Sequence, residues 1–239
     1  MRRLMARSPW LGLLAALVGF VALGQGLKLG LLPLLPKAAW ISQALLKLSL
    51  IVVVLVVAKL EGWPAAALGF RGNLKGAGRY SLLALLLGVV ATNASILTGN
   101  LGMAKIVGQM SLPSVIFWVW IVSSTSEEIF CRGWFQAHLE KHAPSPIDPA
   151  GVLLPSAVLF GAMHLTLLLA GAGVGTTLLI VAFATVLGYI TALVRGRSGS
   201  LYPAIAVHVA FNVGGVIGGA LYVILYRLTT GQLPPFAQQ

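Results

Sequence analysis

Long apolar runs dominate the chain, separated by short links that carry most of its polar residues, glycines and prolines. Seven runs, roughly 9–27, 38–60, 78–97, 112–138, 151–171, 175–194 and 199–226, are about as long as the ~20 residues a helix needs to cross the hydrocarbon layer. Lipid offers no partner to backbone N–H and C=O groups, so such runs must be helical. The predicted fold is all-α and polytopic, with about seven transmembrane helices (six to eight) and a polar cavity among the C-terminal ones. Three parts are expected: helices of a membrane-embedded N-terminal region over 1–110, a core over 111–227, and an irregular tail over 228–239 containing Pro234-Pro235.

The links read as turns. Leu32-Pro33 and Gly62-Trp63-Pro64 break helices, Gly69–Gly76 looks like an interfacial loop, and 98–111 has room for a re-entrant segment. The basic start, Arg2, Arg3 and Arg7, followed by an apolar run, resembles a signal peptide. The run is long for one and no cleavage site follows it, so it is read as a retained first helix.

Composition agrees with burial in lipid. Of 239 residues, 58% are hydrophobic and only 9% are charged, against about 25% charged in soluble domains. The formal net charge of +11 does not indicate nucleic-acid binding, because the basic residues lie between spans rather than on one face. With the N-terminus in the cytoplasm, that side holds Arg2, Arg3, Arg7, Lys59, Arg71, Lys75, Arg79, Lys141, Arg195 and Arg197. The other side holds Lys28, Lys37, Lys105 and Arg227. This bias predicts a cytoplasmic N-terminus. Lys47 and Arg132 fall within spans. The single cysteine, Cys131, excludes a disulfide framework and reads as a packing residue.

The intramembrane polar residues carry the functional signal. Of five acidic residues, Glu127 and Glu128 are adjacent within one span. A carboxylate there costs about 2.5–3.5 kcal/mol on insertion scales, so it needs a partner or a task. Glu128 and Arg132 are four apart on one helical face and should pair. Glu127 points about 100° away and is expected to lack that partner. His164 and His208 lie within spans five and seven, and Asn212 shares a face with His208. His138 and His142, at a span end and in a loop, read as solvated or interfacial. At 1.5 Å per residue, Glu127, His164, His208 and Asn212 fall at similar depth, about 14–20 Å from the cytoplasmic ends of their spans.

A glutamate and a histidine can hold and deprotonate a water molecule, and a second histidine with an asparagine amide can donate hydrogen bonds to an oxyanion. Those groups suffice for amide hydrolysis without a covalent intermediate. The nearby Ser123, Ser124 and Ser126 are expected to bond back to the backbone or to a neighbouring helix. A zinc site made by Glu127, His164 and His208 is the competing account. With no H-E-x-x-H motif present, the metal-free account is preferred, and no cofactor is favoured.

Glu127-Glu128-x-x-x-Arg132, Phe160-x-x-x-His164 and His208-x-x-x-Asn212, in that order and inside spans, resemble the three motifs of the CAAX protease and bacteriocin-processing family, also called the Abi or type II CAAX endopeptidase family. Gly133 and Gly199-Ser-Leu-Tyr-Pro203 are also similar to the family pattern, and the likeness covers roughly 112–225. The resemblance implies an intramembrane endopeptidase in which Glu127 and His164 activate water, His208 and Asn212 form the oxyanion site, and Glu128, Arg132 and Phe160 support the cavity. It implies a membrane-embedded or lipidated peptide or protein as substrate. The Ala/Leu/Gly-rich, Lys-poor composition points to a bacterial inner membrane, where CAAX is a family label rather than a deduced substrate. Two other readings use the same residues: a non-catalytic membrane partner, such as an immunity or assembly subunit, and a small transporter. Absence of repeated halves argues against the transporter.

Overall fold

The computed structural model describes residues 2–30, 39–100, 110–169 and 171–237. The turn expected at Leu32-Pro33 and most of the 98–111 link lie outside them. Seven long helices carry the fold: α1 (Pro9–Gly30), α2 (Ala39–Leu60), α3 (Ala77–Leu97), α4 (112–140), α5 (149–163), α6 (Val174–Ser198) and α7 (Tyr202–Thr230). No strand occurs among the described residues. The all-α polytopic expectation is borne out. Among the described residues, five stretches are long and apolar enough to cross a membrane: Pro9–Leu27, Ala77–Leu97, Pro149–Leu169, Val174–Ser198 and Tyr202–Thr230. The other two long helices carry the internal charges, Lys47 on α2 and Glu127, Glu128 and Arg132 on α4.

Helix α4 is the hub. Every residue from Ser126 to Leu139 is buried, and α2, α5, α6 and α7 all pack against this helix. Its winding alternates, with wide π-helical turns over Val115–Ser123 and Ile129–Gln136 around an α-helical Ser124–Glu128. Such widened turns often accompany functional sites. Two side chains tie α4 to α6: Arg132 Nη2 donates to the Gly188 carbonyl at 2.7 Å, and Gln136 Nε2 donates to the Ala192 carbonyl at 3.0 Å. The aromatic ring of Phe20 on α1 lies 6.0 Å from that of Phe130 on α4.

Helices α3 and α7 lie outermost and show how a lipid-facing pair is built. Leu83, Leu86 and Val90 of α3 and Leu221, Leu225 and Leu228 of α7 are exposed, as an apolar belt toward lipid requires. The opposite faces carry small residues, Ala84 and Gly88 against Gly214 and Gly218, all buried. A Cβ at Gly218 would stand 2.9 Å from Val89 Cα, and one at Gly214 would strike the Leu85 carbonyl. The helices therefore meet backbone to backbone, the arrangement small-xxx-small spacing permits. Gly214→Leu is expected to lower the thermal unfolding midpoint of the detergent-purified protein, at an overpacking cost of about 1–3 kcal/mol. Gly26→Ala, where nothing lies within 4 Å of the new Cβ, should leave the midpoint unchanged, and equal behaviour of the two variants would contradict the packing account.

Local signals set the ends that position the site. Asp148 caps α5, its side chain accepting from the Gly151 N–H at 2.9 Å with Pro149 in the first turn. Gly199, at φ 66°, ends α6 in the left-handed conformation. The Gly69–Gly76 loop is docked rather than free. Asn73 Nδ2 donates to the Ser198 carbonyl at 2.7 Å, and the Leu201 N–H donates to the Gly69 carbonyl at 2.8 Å.

The ends of the fifth and seventh helices differ from expectation in ways that bear on the site and the tail. The fifth helix stops at Met163, turns at His164 and Leu165, and resumes as a short helix, Thr166–Leu169. The last helix continues to Thr230, where Gly231 at φ 73° ends it, so residues 228–230 of the expected irregular tail are helical.

Candidate active site

Glu127 and Glu128 sit side by side on α4, at 4% and 0% exposure, and each has its own cation. Glu128 Oε2 is 3.2 Å from Arg132 Nε, the i,i+4 pair expected from the spacing. Glu127 Oε1 is paired with the ammonium of Lys47, which reaches in from α2. Glu127 lacks the Arg132 partner, as expected, but the reading of it as unpaired is corrected. That expectation considered only neighbours along α4, whereas the partner comes from 80 residues away in sequence. The Ser123 hydroxyl, one turn earlier, also donates to Glu127 Oε1 at 3.0 Å.

His208 of α7 bridges the two glutamates. Its Nδ1 is 3.0 Å from Glu128 Oε1, and its Nε2 is 3.8 Å from Glu127 Oε2. The first distance is a hydrogen bond; the second exceeds one. A carboxylate only accepts, so Nδ1 carries a proton. For Nε2 to donate as well, the ring must hold both protons. One turn along α7, Asn212 Nδ2 donates to Ser124 Oγ at 3.0 Å, which aims the amide at the segment carrying both glutamates.

His164 lies at the C-terminal end of α5, where the helix turns, rather than inside a continuous span. Its Nδ1 bonds the Phe160 carbonyl at 2.9 Å. A carbonyl only accepts, so Nδ1 is the donor and the neutral ring presents the Nε2 lone pair elsewhere. His164 is half-buried while the glutamates are buried.

Phe160 organises the cluster. Its ring centroid is 5.4 Å from that of His164 and 5.3 Å from that of His208, and the Arg132 guanidinium carbon stacks 4.5 Å above it. Gly188 permits this closeness, because a Cβ there would come within 3.1 Å of Phe160 Cβ and of the Ala157 backbone. The structure thus brings Glu127, Glu128, Arg132, Phe160, His164, His208 and Asn212 into one cluster. Lys47, Ser123 and Ser124 join it, and the sequence reading gave none of them a part. A lysine in mid-span was the available signal for Lys47. Of the three serines, Ser126 bonds back to the Ser123 carbonyl at 2.8 Å and Ser124 bonds the neighbouring α7 through Asn212, both as expected, whereas Ser123 bonds Glu127. Cys131 packs in the core, its Sγ 3.5 Å from Met163 Sδ.

His138 is also corrected. It is fully buried rather than interfacial, with Nδ1 on the Trp134 carbonyl at 2.8 Å and Nε2 3.0 Å from Glu61 Oε2. Its ring is 4.3 Å from that of Trp63. The link at Gly62-Trp63-Pro64 folds back onto α4 and covers the end where solvent was expected. This group is separate from the glutamate cluster.

For the zinc alternative, the atoms left to face an ion are Glu127 Oε2, His164 Nε2 and His208 Nε2, with the Lys47 cation beside them. Lys47 and Ser123 take Glu127 Oε1, and Glu128 takes His208 Nδ1. Among the described residues no three His, Cys, Asp or Glu side chains are grouped as a metal site requires.

Residues 109–214 match a family described as type II CAAX prenyl endopeptidase Rce1-like. The match covers less than half of the chain, and it is this segment that is similar to the Rce1-like family. It contains Glu127, Glu128, Arg132, Phe160, His164, His208 and Asn212, and it leaves α1, α2 and α3 outside. The resemblance drawn from the three motifs is thereby borne out, and the segment stands among CAAX-type proteases in general. No curated protein and no solved structure matches the chain.

Proposed function

We propose that this protein is an intramembrane endopeptidase that hydrolyses a peptide bond of a membrane-proximal or lipidated peptide or protein. The observation that carries the reading is the clustering of Glu127, His164, His208 and Asn212 inside the Rce1-like segment. A water between Glu127 Oε2 and His164 Nε2 gives up a proton as its oxygen attacks the scissile carbonyl. The C=O π electrons move onto oxygen, which accepts from His208 Nε2–H and from the free Asn212 N–H. Collapse of the tetrahedral intermediate breaks the C–N bond, and the proton taken from water passes to the leaving amine.

The proposed catalytic core spans 111–227. It works without a metal, a reading supported by the missing H-E-x-x-H motif and by the Lys47 ammonium already held against Glu127, whose charge opposes a second cation there. The proposed setting is a bacterial inner membrane, supported by the Ala/Leu/Gly-rich, Lys-poor composition, with the N-terminus in the cytoplasm, supported by the distribution of lysine and arginine.

The test is cleavage of internally quenched peptides, farnesylated and plain, by the protein reconstituted in liposomes, beside Glu127→Ala and with a strong chelator. Cleavage that is lost in the variant and kept with chelator is the expected result. Loss with chelator would replace the metal-free mechanism by a metal site, and equal cleavage by the variant would overturn the reading.

A further inference from the structure

We infer that Lys47 is a positioning residue of the active site: with Ser123 it engages Oε1 of Glu127 and leaves Oε2 as the oxygen that acts on water. The inference rests on the hydrolase reading above. Lys47 lies on α2, outside the family-matched segment, so the segment's base depends on a cation supplied by the N-terminal half.

Three observations carry it. The donors to Glu127 are one-sided. The Lys47 ammonium and the Ser123 hydroxyl both bond Oε1, while Oε2 has His208 Nε2 at 3.8 Å, beyond hydrogen-bond length. The terminal torsion of a glutamate is broad and its two oxygens exchange freely in the absence of directed bonds. Two donors on one oxygen remove that freedom, and the other oxygen keeps its lone pairs for a proton.

The Lys47 and Arg132 charges are also divided between the two glutamates. Glu128 is engaged by Arg132 and by His208 Nδ1, and Arg132 is directed away to the Gly188 carbonyl as well. That leaves Lys47 as the cation assigned to Glu127. A lysine inside the membrane is costly without a partner, and this one is held where its partner is the proposed base. Its side chain is 17% exposed and that of Glu127 6%, so the pair is largely shielded from screening.

Lys47 is carried, finally, by a packed helix rather than a loose one. α2 lies against the stretch of α4 from Val115 to Gln136, and Leu50 and Val54 of α2, three and seven residues on from Lys47, are buried at 1% and 2% exposure. The residues at this helical spacing fix the rotation that points Lys47 inward.

The experiment compares Lys47→Met, Lys47→Arg, Ser123→Ala and Glu127→Gln with wild type in liposomes. It uses whichever peptide of the farnesylated and plain panel wild type cleaves fastest, and reads kcat and KM separately. Thermal unfolding in detergent checks that each variant is folded. Misplacing a catalytic group slightly can cost up to about 10²-fold. Lys47→Met is therefore expected to lower kcat about 10- to 100-fold with KM within about twofold of wild type. Lys47→Arg should recover part of the loss, because its charge still reaches the carboxylate. Ser123→Ala should lower kcat by a smaller factor, and it decides the matter should Lys47→Met fail to fold. A raised KM with normal kcat in Lys47→Met would assign Lys47 to substrate binding and overturn the inference. So would unchanged kcat in either Lys47→Met or Ser123→Ala. If Glu127→Gln is inactive while Lys47→Met is normal, this inference alone falls. If Glu127→Gln is as active as wild type, the hydrolase reading falls with it.

Discussion

Glu127→Gln is expected to lower kcat/KM by about 10³-fold, within the 10²- to 10⁴-fold range of a lost general base. The amide keeps the size and can still accept from Ser123, so the change falls on proton acceptance and on the Lys47 charge. Because Lys47 then loses its anionic partner, activity must be read on protein shown to be folded by its thermal transition. Glu127→Asp supplies the complementary result. It keeps the charge but withdraws the carboxylate by one methylene, and an intermediate rate is expected. If Glu127 and His164 act together on one water, the double variant Glu127→Gln/His164→Ala should be little slower than the worse single variant, because groups that work as a unit are strongly non-additive. Full multiplication of the two losses would place them in separate steps. A Glu127→Gln protein with wild-type kcat/KM would remove the proposed mechanism altogether.

How far the sequence foretold this site depends on the kind of contact. The Glu128–Arg132 pair was legible because it lies within one helical turn, and spacing alone puts the two side chains together. The shared face of His208 and Asn212 was legible for the same reason, and both now face the segment of α4 carrying the glutamates. Lys47 was not. Its pairing depends on the rotation of α2 against α4, which arises from tertiary packing and leaves no periodic trace in the chain. The second partner of Glu128 was missed for the same reason: Arg132 was assigned to it by spacing, and His208 arrives across a helix interface.

The fold shows the same division. Apolar length alone was enough to find the seven long helices, because lipid makes length and apolarity nearly decisive. The break at His164 was hidden, since the residues after it, Leu165 to Leu169, continue the apolar run. That break matters for the chemistry. It leaves the Phe160 carbonyl free of the helical N–H four residues on, and the His164 N–H bonds the Gly161 carbonyl instead. The Phe160 carbonyl can then accept from His164 Nδ1, so the helix end sets the tautomer of the ring. His138 was misread because a span end next to a polar loop suggests water, whereas Trp63 and Glu61 fold over it.

Removing Arg132 should be the most damaging structural change. Its side chain and that of Glu128 are both 0% exposed, and breaking a buried ion pair on one side costs about 3–5 kcal/mol, because the remaining charge is stranded. Arg132 also bonds the Gly188 carbonyl and stacks on Phe160, so Arg132→Met loosens α4, α5 and α6 together. Replacing both partners by apolar residues of similar volume avoids the stranded charge. Glu128→Leu/Arg132→Met is accordingly expected to recover most of the thermal stability that Arg132→Met loses. It should not recover activity. Without Glu128 the His208 Nδ1 proton has no acceptor, and nothing holds Nε2 toward the space beside Glu127 Oε2. The loss of an orienting carboxylate behind a catalytic histidine can cost up to about 10⁴-fold, and a kcat about 10²-fold or more below wild type is expected here. Unfolding midpoints and kcat measured on wild type, the two single variants and the double variant separate the two roles. A double variant that is both stable and fully active would mean that the Glu128–Arg132 pair only fills the core and that His208 is oriented by its packing against Phe160. A stable but inactive one would mean that the same carboxylate that neutralises Arg132 also aims the histidine.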